Sequence, residues 1–564
     1  MMNYMQTWHT IVPYVGPFAW TSLRVVGYFL AGTVATTGGL IVTFVALQLQ
    51  RIRSAPEQIP WAGVERYRFL PKLRATIASL TKDREHSEFG WEKYTTTGTP
   101  FTLPNLLWPL TILPPSEATW LISQPERVLS VNKTQDDVMG LAHLGPGPTL
   151  ESVHDFSVII RDLTRQIPAC TMEMFEEVKQ SFDAHFGDPE KGSDWQDVKL
   201  MKVVESSVLD VASRLVVGAP LCRSKQYRRA VSSYITINGF TALFVQAFVP
   251  PTLSSLAFGV LKWPVFYSRW RAARLFHPEV ERRVAALSDA RYEKEALRER
   301  ENDLMQWIIE SAAAKGDPAE FDAKILAHKL LLLNLFTIAT LYLTLSTTLL
   351  TLLSSPDAGH ILATLRGEAA EILPTLAQDP TATRKMHAHD SLIRETMRYE
   401  PMSDTGLMRE VLSPSGITTP SGTFLPQGSH VGVSVRQMQR SGGKSADNYQ
   451  PFRFVPSAAS SELEAEATKP PTAVQVSEAH LSFGLGRHVC PGRFFAVNTL
   501  KLMLGYMVLK WEFEPLKEKA KFIQIAGASI GSEKTVVRIR RRVAGGKESG
   551  DVGEEAYGES QVTG

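Results

Sequence analysis

The longest uncharged segment near the N-terminus of this chain is apolar. From Val25 to Gln50 no side chain is charged, and an apolar run of this length can cross a bilayer as one helix. A cleaved signal peptide is the alternative, although its apolar region is usually shorter and ends at a small-residue site. Basic residues are sparse before the run and frequent after it. By the positive-inside rule, this asymmetry predicts a lumenal segment at 1–24, a transmembrane anchor at 25–50 and a cytosolic remainder.

Two further runs are long enough to be mistaken for membrane spans. The run from Ala230 to Leu261 has no charge but contains Pro250-Pro251, which stops a continuous helix. It is interpreted either as two buried helices around a loop or as an apolar loop that dips into the membrane.

The second run, Leu330 to Pro356, carries polar residues that share one sector of a helix at 100° per residue. These are Asn334, Thr337, Thr340, Thr344, Thr348 and Thr351. The pattern favours a central helix of a large protein with its hydroxyl stripe facing a cavity. A second membrane span is the alternative.

The rest of the chain predicts a mostly α fold with a minor β-sheet region. Residues 101–130 are proline-rich and strand-like, and amphipathic helical patterns fill most of 150–400. Short strands and turns are predicted over 405–435. The Gly/Glu/Ser-rich tail at 543–564 is predicted to be disordered.

Composition narrows the class of protein without choosing a function. Of the 564 residues, 44% are apolar and 21% are charged, which is a globular composition, and the net charge of +2 gives no case for a nucleic-acid partner. The three cysteines, Cys170, Cys222 and Cys490, lie far apart and form no CxxC pair. This spacing argues against a disulfide framework and a structural zinc site, and it agrees with a reducing compartment.

The segment around Cys490 is the most informative of the chain. Glycines at 484, 486 and 492 permit tight turns and a close approach to a flat ligand. Pro491 suits the first position of a helix, so Cys490 is predicted at a helix N-terminus, where a thiolate is favoured. Arg487, His488 and Arg493 are predicted to crowd the same place. A lone cysteine is more often inert core, but this combination favours chemistry.

The same segment resembles the haem-binding signature of the cytochrome P450 superfamily, F-x-x-G-x-[R/H]-x-C-x-G. The signature positions are occupied by Phe483, Gly486, His488, Cys490 and Gly492. The resemblance implies a cytochrome P450 fold over 61–542, with haem b as the cofactor and Cys490 as the axial thiolate ligand of its iron. It also places Arg487 at the haem and implies that His488, where many members have arginine, contacts a propionate.

A second match lies upstream, at Glu395 and Arg398. Alone, this pair would be a routine surface ion pair on a helix. It is similar to the E-x-x-R pair of the family, which an arginine of a P-x-R-F-like segment completes, here Arg453. The resemblance implies a buried structural network of these three residues. Arg409 stands where family members often supply another propionate contact.

The hydroxyl-striped helix resembles the long helix that passes over the haem in this family. Its usual pattern is small-small-x-acid-Thr-Thr, and only Thr340 matches firmly here. Ala339 occupies the acid position and Phe336 a small one. Thr340 is therefore predicted to be the catalytic hydroxyl that guides protons; a plain core threonine is the alternative.

Together these resemblances imply a membrane-bound monooxygenase similar to fungal biosynthetic members. The expected partners are an NADPH-dependent flavoprotein reductase and an apolar substrate, a fungal terpenoid or another secondary metabolite. The expected location is the endoplasmic reticulum membrane, with a single pass and the catalytic domain in the cytosol. Ala339 and Phe336 keep a haem-thiolate isomerase or dehydratase open, and a non-catalytic haem-binding membrane protein is the third hypothesis.

Overall fold

The computed structural model describes residues 37–139, 157–187, 194–248, 251–288, 301–316, 321–456, 470–525 and 528–542. The predicted lumenal segment, the first part of the predicted anchor and the predicted tail lie outside these residues. Helices dominate the described part and short strands form small sheets, as the hydrophobic pattern predicts.

The α-helices begin and end as follows, in chain order. They are α1 (37–54), α2 (Pro71–Lys93), α3 (Ala118–Ser123), α4 (Val131–Met139), α5 (Ser157–Phe186), α6 (Leu200–Val217), α7 (Lys225–Phe248), α8 (Pro251–Ser288), α9 (Leu304–Lys315), α10 (Ala323–Leu353), α11 (Ala358–Ile372), α12 (His387–Tyr399), α13 (Val435–Arg440) and α14 (Arg493–Lys510).

The strands are short and, apart from β4, cluster at 101–130, at 405–435 and near the C-terminus. They are β1 (Phe101–Leu103), β2 (Leu110–Ile112), β3 (Leu129–Ser130), β4 (Gln196–Lys199), β5 (Thr405–Val411), β6 (Ile417–Thr418), β7 (Phe424–Leu425), β8 (His430–Ser434), β9 (Trp511–Phe513), β10 (Phe522–Ile525), β11 (Ala528–Gly531) and β12 (Val536–Arg541).

The largest sheet has five strands in the order β1-β2-β8-β5-β3. Only β2 and β8 run parallel; the other neighbours are antiparallel. A register shift between Gly406 and Arg409 interrupts the pairing of β5 with β8, after which Glu410 lies opposite His430. The smaller sheets are β4-β12-β9, β10-β11 and β6-β7.

Helix α10 is the centre of the helical core, as predicted. Asp322 begins it by accepting hydrogen bonds from the N–H groups of Lys324 (2.8 Å) and Ile325 (3.1 Å). The helix packs against α6, α8, α12 and α14, and its leucines join the main hydrophobic cluster. Among the described helices it alone is long and apolar enough to cross a membrane, but 56% of its most apolar window is buried in the protein.

Only the middle of the polar stripe of α10 is exposed. The expectation that the whole stripe faces a cavity is therefore wrong. Asn334 and Thr348 are fully buried, and Asn334 Nδ2 donates to the hydroxyl of Tyr227 (2.5 Å). Thr337 and Thr344 are half-buried, and Thr340 is exposed. The sector was predicted correctly, but its ends are covered by neighbouring helices.

The charge-free run from Ala230 to Leu261 folds as two helices, α7 and α8, joined at residues 249–250. The double proline ends the first helix and begins the second, as predicted. Side chains 245–261 are outside the described part, so the buried and membrane-contacting interpretations both stay open for them.

Candidate active site

The segment before Cys490 is a tight loop that glycines make possible. Gly484 (φ 75°) and Gly486 (φ 73°) adopt left-handed backbone, which side chains other than glycine disfavour. At Gly486 a Cβ would also lie 3.1 Å from Ile122 Cδ1. The loop folds back so that the Cys490 N–H donates to the carbonyl of Phe483 (2.7 Å). This bond fixes the cysteine beside its own loop.

Helix α14 begins later than the sequence predicts. Its first residue is Arg493 and its N-cap is Gly492, so Pro491 lies in the turn before the helix rather than at its first position. The Cys490 sulfur still faces the helix end, because the N–H groups of Gly492 and Arg493 point to it. The prediction of a sulfur at a helix N-terminus is correct, with a start shifted by two residues.

Opposing effects act on the ionisation of Cys490. Burial raises the pKa of the thiol, and the two N–H groups and the Arg493 charge oppose that rise without overcoming it. The protein groups alone therefore do not hold a thiolate here. A soft sulfur donor in this position fits a metal cation, which displaces the thiol proton on binding.

The three cations near Cys490 do not all act on its sulfur, contrary to the expectation. Arg493 does, and its Nη1 donates to the Cys490 carbonyl (2.9 Å). Arg487 instead donates to the carbonyl of Gln124 (2.9 Å), and His488 Nε2 lies 3.4 Å from Glu126 Oε2. Tertiary pairing with the segment before β3 draws these two side chains away.

Arg409 is a further basic side chain near Glu126 and Arg487. It is 2% exposed, its Nη1 donates to the Leu407 carbonyl (2.7 Å), and burial lowers its pKa to about 10. The charges of Glu126 and Arg487 both act on it. The Glu126 carboxylate thus interacts with two basic side chains, Arg409 and His488, and Arg487 adds a third positive charge next to Arg409. This surplus of positive charge suits a ligand that carries carboxylates, as haem does.

Glu126 is a site residue that the sequence did not reveal. Although burial alone would raise its pKa, hydrogen bonds from Ser130 Oγ (2.6 Å) and the Asn132 N–H (2.9 Å), among others, hold that pKa below its usual range. The carboxylate is therefore charged and fixed in place beside His488. No local motif links residues so far apart in the chain.

The structure brings Glu395, Arg398 and Arg453 together. Arg398 binds Glu395 through two parallel bonds, Nε to Oε2 (2.7 Å) and Nη2 to Oε1 (2.9 Å), and Arg453 Nε reaches the same Oε2 (3.2 Å). Glu395 is fully buried. Bidentate geometry and burial separate this network from a surface ion pair.

The network extends to the cysteine loop through Gln439. Arg398 Nη1 donates to the carbonyls of Gln439 (3.2 Å) and Ala446 (2.7 Å). The side chain of Gln439 in turn accepts a hydrogen bond from the Leu481 N–H (2.8 Å), two residues before Phe483. The charge network is therefore tied to the backbone that leads to Cys490.

Thr340 lies on the open face of α10, and its hydroxyl donates to the Phe336 carbonyl (2.8 Å). Thr337 makes the same bond to Leu333 (2.8 Å). Because both threonine hydroxyls donate their protons to carbonyls of their own helix, their oxygen lone pairs can accept hydrogen bonds from groups outside the helix. Helix α10 also contacts α14, the helix that follows Cys490.

The other cysteines have no part in this region. Cys170 and Cys222 are buried in the main core, and burial raises the pKa of each to about 12. Both are inert thiols under ordinary conditions.

Comparison with known proteins identifies the family. The Cytochrome P450 family model matches residues 150–535. The chain belongs to the cytochrome P450 family. It is 29% identical to the cytochrome P450 monooxygenase lnaC of Aspergillus flavus over 478 residues, which are 84% of this chain and 90% of that protein. It is 28% identical to the cytochrome P450 monooxygenase polB of Polytolypa hystricis, over 92% of this chain and 99% of that protein.

Membership of this family means that the protein is a haem-thiolate monooxygenase. Its cofactor is haem b, with a cysteine thiolate on the iron. The residues of this cytochrome P450 fit the group, because the Cys490 sulfur, the helix N–H groups and the basic cluster lie on neighbouring segments.

Proposed function

We propose that this cytochrome P450 oxidises an apolar small molecule in the region between α10 and the Cys490 loop. The observation that carries the proposal is Cys490 itself, a half-buried cysteine just before α14 in a glycine-shaped loop. Cys490 would be the axial ligand of the iron. The bound haem supplies dioxygen activation for oxidation of an unactivated C–H bond.

The basic cluster would hold the haem propionates. Arg409 is buried and bound to the Leu407 carbonyl, whereas His488 and Arg487 are held by Glu126 and Gln124. Charged hydrogen bonds from such fixed donors are stronger than neutral ones. The Glu395 network would act as a positioning unit, because it reaches the cysteine loop through Gln439.

Thr340 would guide protons to the reacting oxygen. It is the exposed hydroxyl of the α10 face, and Ala339 beside it offers no acid. In the observed rotamer the Thr340 hydroxyl donates its proton to the Phe336 carbonyl, so its oxygen is able to accept a hydrogen bond from a group outside the helix. Rotation of the hydroxyl would let it donate instead, so one group can accept and release protons.

An apolar substrate is supported by the elements around Thr340. Helix α10 is rich in leucine, and Phe336 is only partly buried on the open face. A fungal terpenoid or another secondary metabolite remains our specific proposal. The fungal sources of the relatives support it.

Membrane attachment is part of the proposal, through the anchor at 25–50 and with the catalytic domain on the cytosolic side of the endoplasmic reticulum. The described part of the anchor is helical and exposes Leu40, Ile41 and Val42. An NADPH-dependent flavoprotein reductase in the same membrane would supply electrons.

A second membrane contact is supported by α8. The exposed face of this helix is aromatic first and basic afterwards, with Trp263, Phe266, Tyr267 and Trp270 followed by Arg271 and Arg274. Aromatic side chains next to basic ones are typical of a membrane–water interface.

The test is product analysis by mass spectrometry after co-expression with a flavoprotein reductase and candidate terpenoid precursors, with Cys490→Ser as the matched control. We expect an oxygenated product that requires NADPH, dioxygen and Cys490. Product formation without NADPH would instead support the isomerase or dehydratase. No product, together with no NADPH consumption for any apolar precursor, would contradict the proposal.

A further inference from the structure

A cluster of three metal-ligand side chains lies apart from Cys490, at the junction of α4 with the five-stranded sheet. Asp137 comes from α4, Glu410 from β5 and His430 from β8. One ligand atom of each lies within 4.8 Å of the others. The sheet aligns two of them, because Glu410 and His430 are opposite each other in the β5–β8 register.

The imidazole of His430 is arranged as a ligand. Its ring stacks on Trp108 (4.2 Å between centroids, 12° between planes) and hydrogen-bonds to the backbone of Gly428. Its Nε2 is buried, has no hydrogen-bond partner and lies 3.8 Å from Glu410 Oε2. Burial lowers the pKa of His430 to about 4, so the ring is neutral near pH 7. Metal-binding histidines are commonly fixed through their other ring nitrogen in this way.

The two carboxylates lie next to each other, with the Lys133 ammonium group beside them. Glu410 Oε2 is buried without a hydrogen-bond partner of its own, and burial raises the pKa of Glu410 to about 7. The Asp137 carboxylate raises that pKa further through its charge and a side-chain hydrogen bond, and Lys133 opposes the rise. Lys133 pairs with Asp137 one helical turn away, but its Nζ stays 3.7 Å from Glu410. Arg51 is the further basic group that acts on His430.

We propose that Asp137, Glu410 and His430 bind a divalent transition-metal ion of the Zn²⁺ type. One imidazole nitrogen and two carboxylate oxygens suit such an ion better than Ca²⁺ or Mg²⁺, which prefer oxygen ligands alone. Lys133 would leave the cluster when the metal binds. Its side chain is 43% exposed, so its ion pair with Asp137 is weak and easily exchanged for water.

The bound ion would tie α4 to the sheet next to the haem site. Glu410 follows Arg409 directly in β5, and α4 follows the segment that holds Glu126. A ligand that binds only the folded protein stabilises it by mass action. Metal binding at this cluster would therefore raise the thermal stability of the holoenzyme, independently of the iron.

The experiment uses the purified holoenzyme after treatment with a chelator. Zn²⁺, and Mg²⁺ in parallel, are titrated by calorimetry, zinc per haem is counted after desalting, and the apparent Tm is recorded. We expect saturable binding of about one Zn²⁺ per protein, a rise in Tm and no response to Mg²⁺. His430→Gln and Asp137→Asn should each weaken binding by at least about 10-fold.

Lys133→Gln separates the metal site from a simple ion-pair cluster. This change removes the positive charge that competes with the metal ion for the Asp137 carboxylate, so zinc should bind several-fold more tightly. His277→Gln changes a half-buried histidine that is paired with Glu281 on α8, away from the cluster, and should leave zinc binding unchanged. Zinc binding that is absent, or equally strong in His430→Gln and Asp137→Asn, would overturn the proposal. The carbon-monoxide spectrum of each variant shows whether its haem site is intact, and Asp137→Asn decides the question if His430→Gln loses haem.

Discussion

Replacing Glu395 by glutamine tests the buried network most directly, because it removes the anion and keeps the shape. Arg398 would then stay buried beside three backbone carbonyls without a counter-charge, and Arg453 would lose its contact with the carboxylate. The Gln450 N–H, which donates to Glu395 Oε1 (2.8 Å), would keep an amide oxygen as its acceptor. The lost interaction is therefore chiefly electrostatic.

The magnitude follows from the burial. Breaking a buried ion pair by removing one partner costs about 3–5 kcal/mol. Arg453 adds less to this, because its side chain is 20% exposed and water screens it. At an unfolding entropy of about 2.1 cal/mol/K per residue, a domain of about 480 residues loses about 1 °C of Tm per kcal/mol. We expect the apparent Tm of Glu395→Gln to fall by about 3–5 °C. Haem content should fall too, since Gln439 links the network to the cysteine loop.

The assay is the apparent Tm of the purified protein together with its haem-to-protein ratio. Glu85→Gln is the matched control, because it makes the same chemical change in the exposed pair with Arg66 (2.9 Å). Exposed pairs contribute about 0–1 kcal/mol, so this control should shift Tm by about 1 °C or less. The double variant Glu395→Gln/Arg398→Met should lose less stability than the sum of its two single variants. A Glu395→Gln protein that keeps its haem and melts like Glu85→Gln would refute the reasoning.

The remaining predictions concern the ligand, the proton donor and the membrane. Cys490→Ser should lose the red-shifted Soret band that thiolate-ligated ferrous haem shows with carbon monoxide; an unchanged band would place the ligand elsewhere. Thr340→Val should lower the product formed per NADPH on the order of 10²-fold while peroxide rises, whereas unaltered coupling would mean that protons arrive through water or substrate. Deleting residues 1–50 should release only part of the protein from membranes, and Trp263→Gln with Trp270→Gln should release the rest; full release by the deletion alone would remove the case for a contact through α8.

Much of this structure could be predicted from local sequence patterns, because the signals were local. The i,i+3 spacing of Glu395 and Arg398 puts both side chains on one face of α12, and the double proline separates α7 from α8. The Cys490 segment contains its own turns and its own helix start within a few residues. Each of these features depends on residues adjacent in the chain.

Contacts between distant segments could not be predicted in the same way. His488 meets Glu126, and Arg398 completes its bonding with the carbonyls of Gln439 and Ala446, which any residue type supplies. The sequence correctly placed the polar stripe of α10 in one sector of the helix. It could not show that Asn334 is buried, because its hydrogen-bond partner, Tyr227, comes from α7. Periodicity gives the direction of a side chain on its helix but not what lies opposite.

The ionisation of Cys490 depends both on groups that the sequence reveals and on burial that only the structure shows. The sequence identifies the groups that favour a thiolate, namely the helix N–H groups and the Arg493 charge, and the structure places both at the sulfur. It also shows that burial outweighs them and raises the pKa of the thiol. The same desolvation that disfavours the free anion lowers the local dielectric constant, which strengthens the attraction of a thiolate to a cation. The loop is therefore built to bind iron through sulfur and not to present a reactive thiolate to solvent.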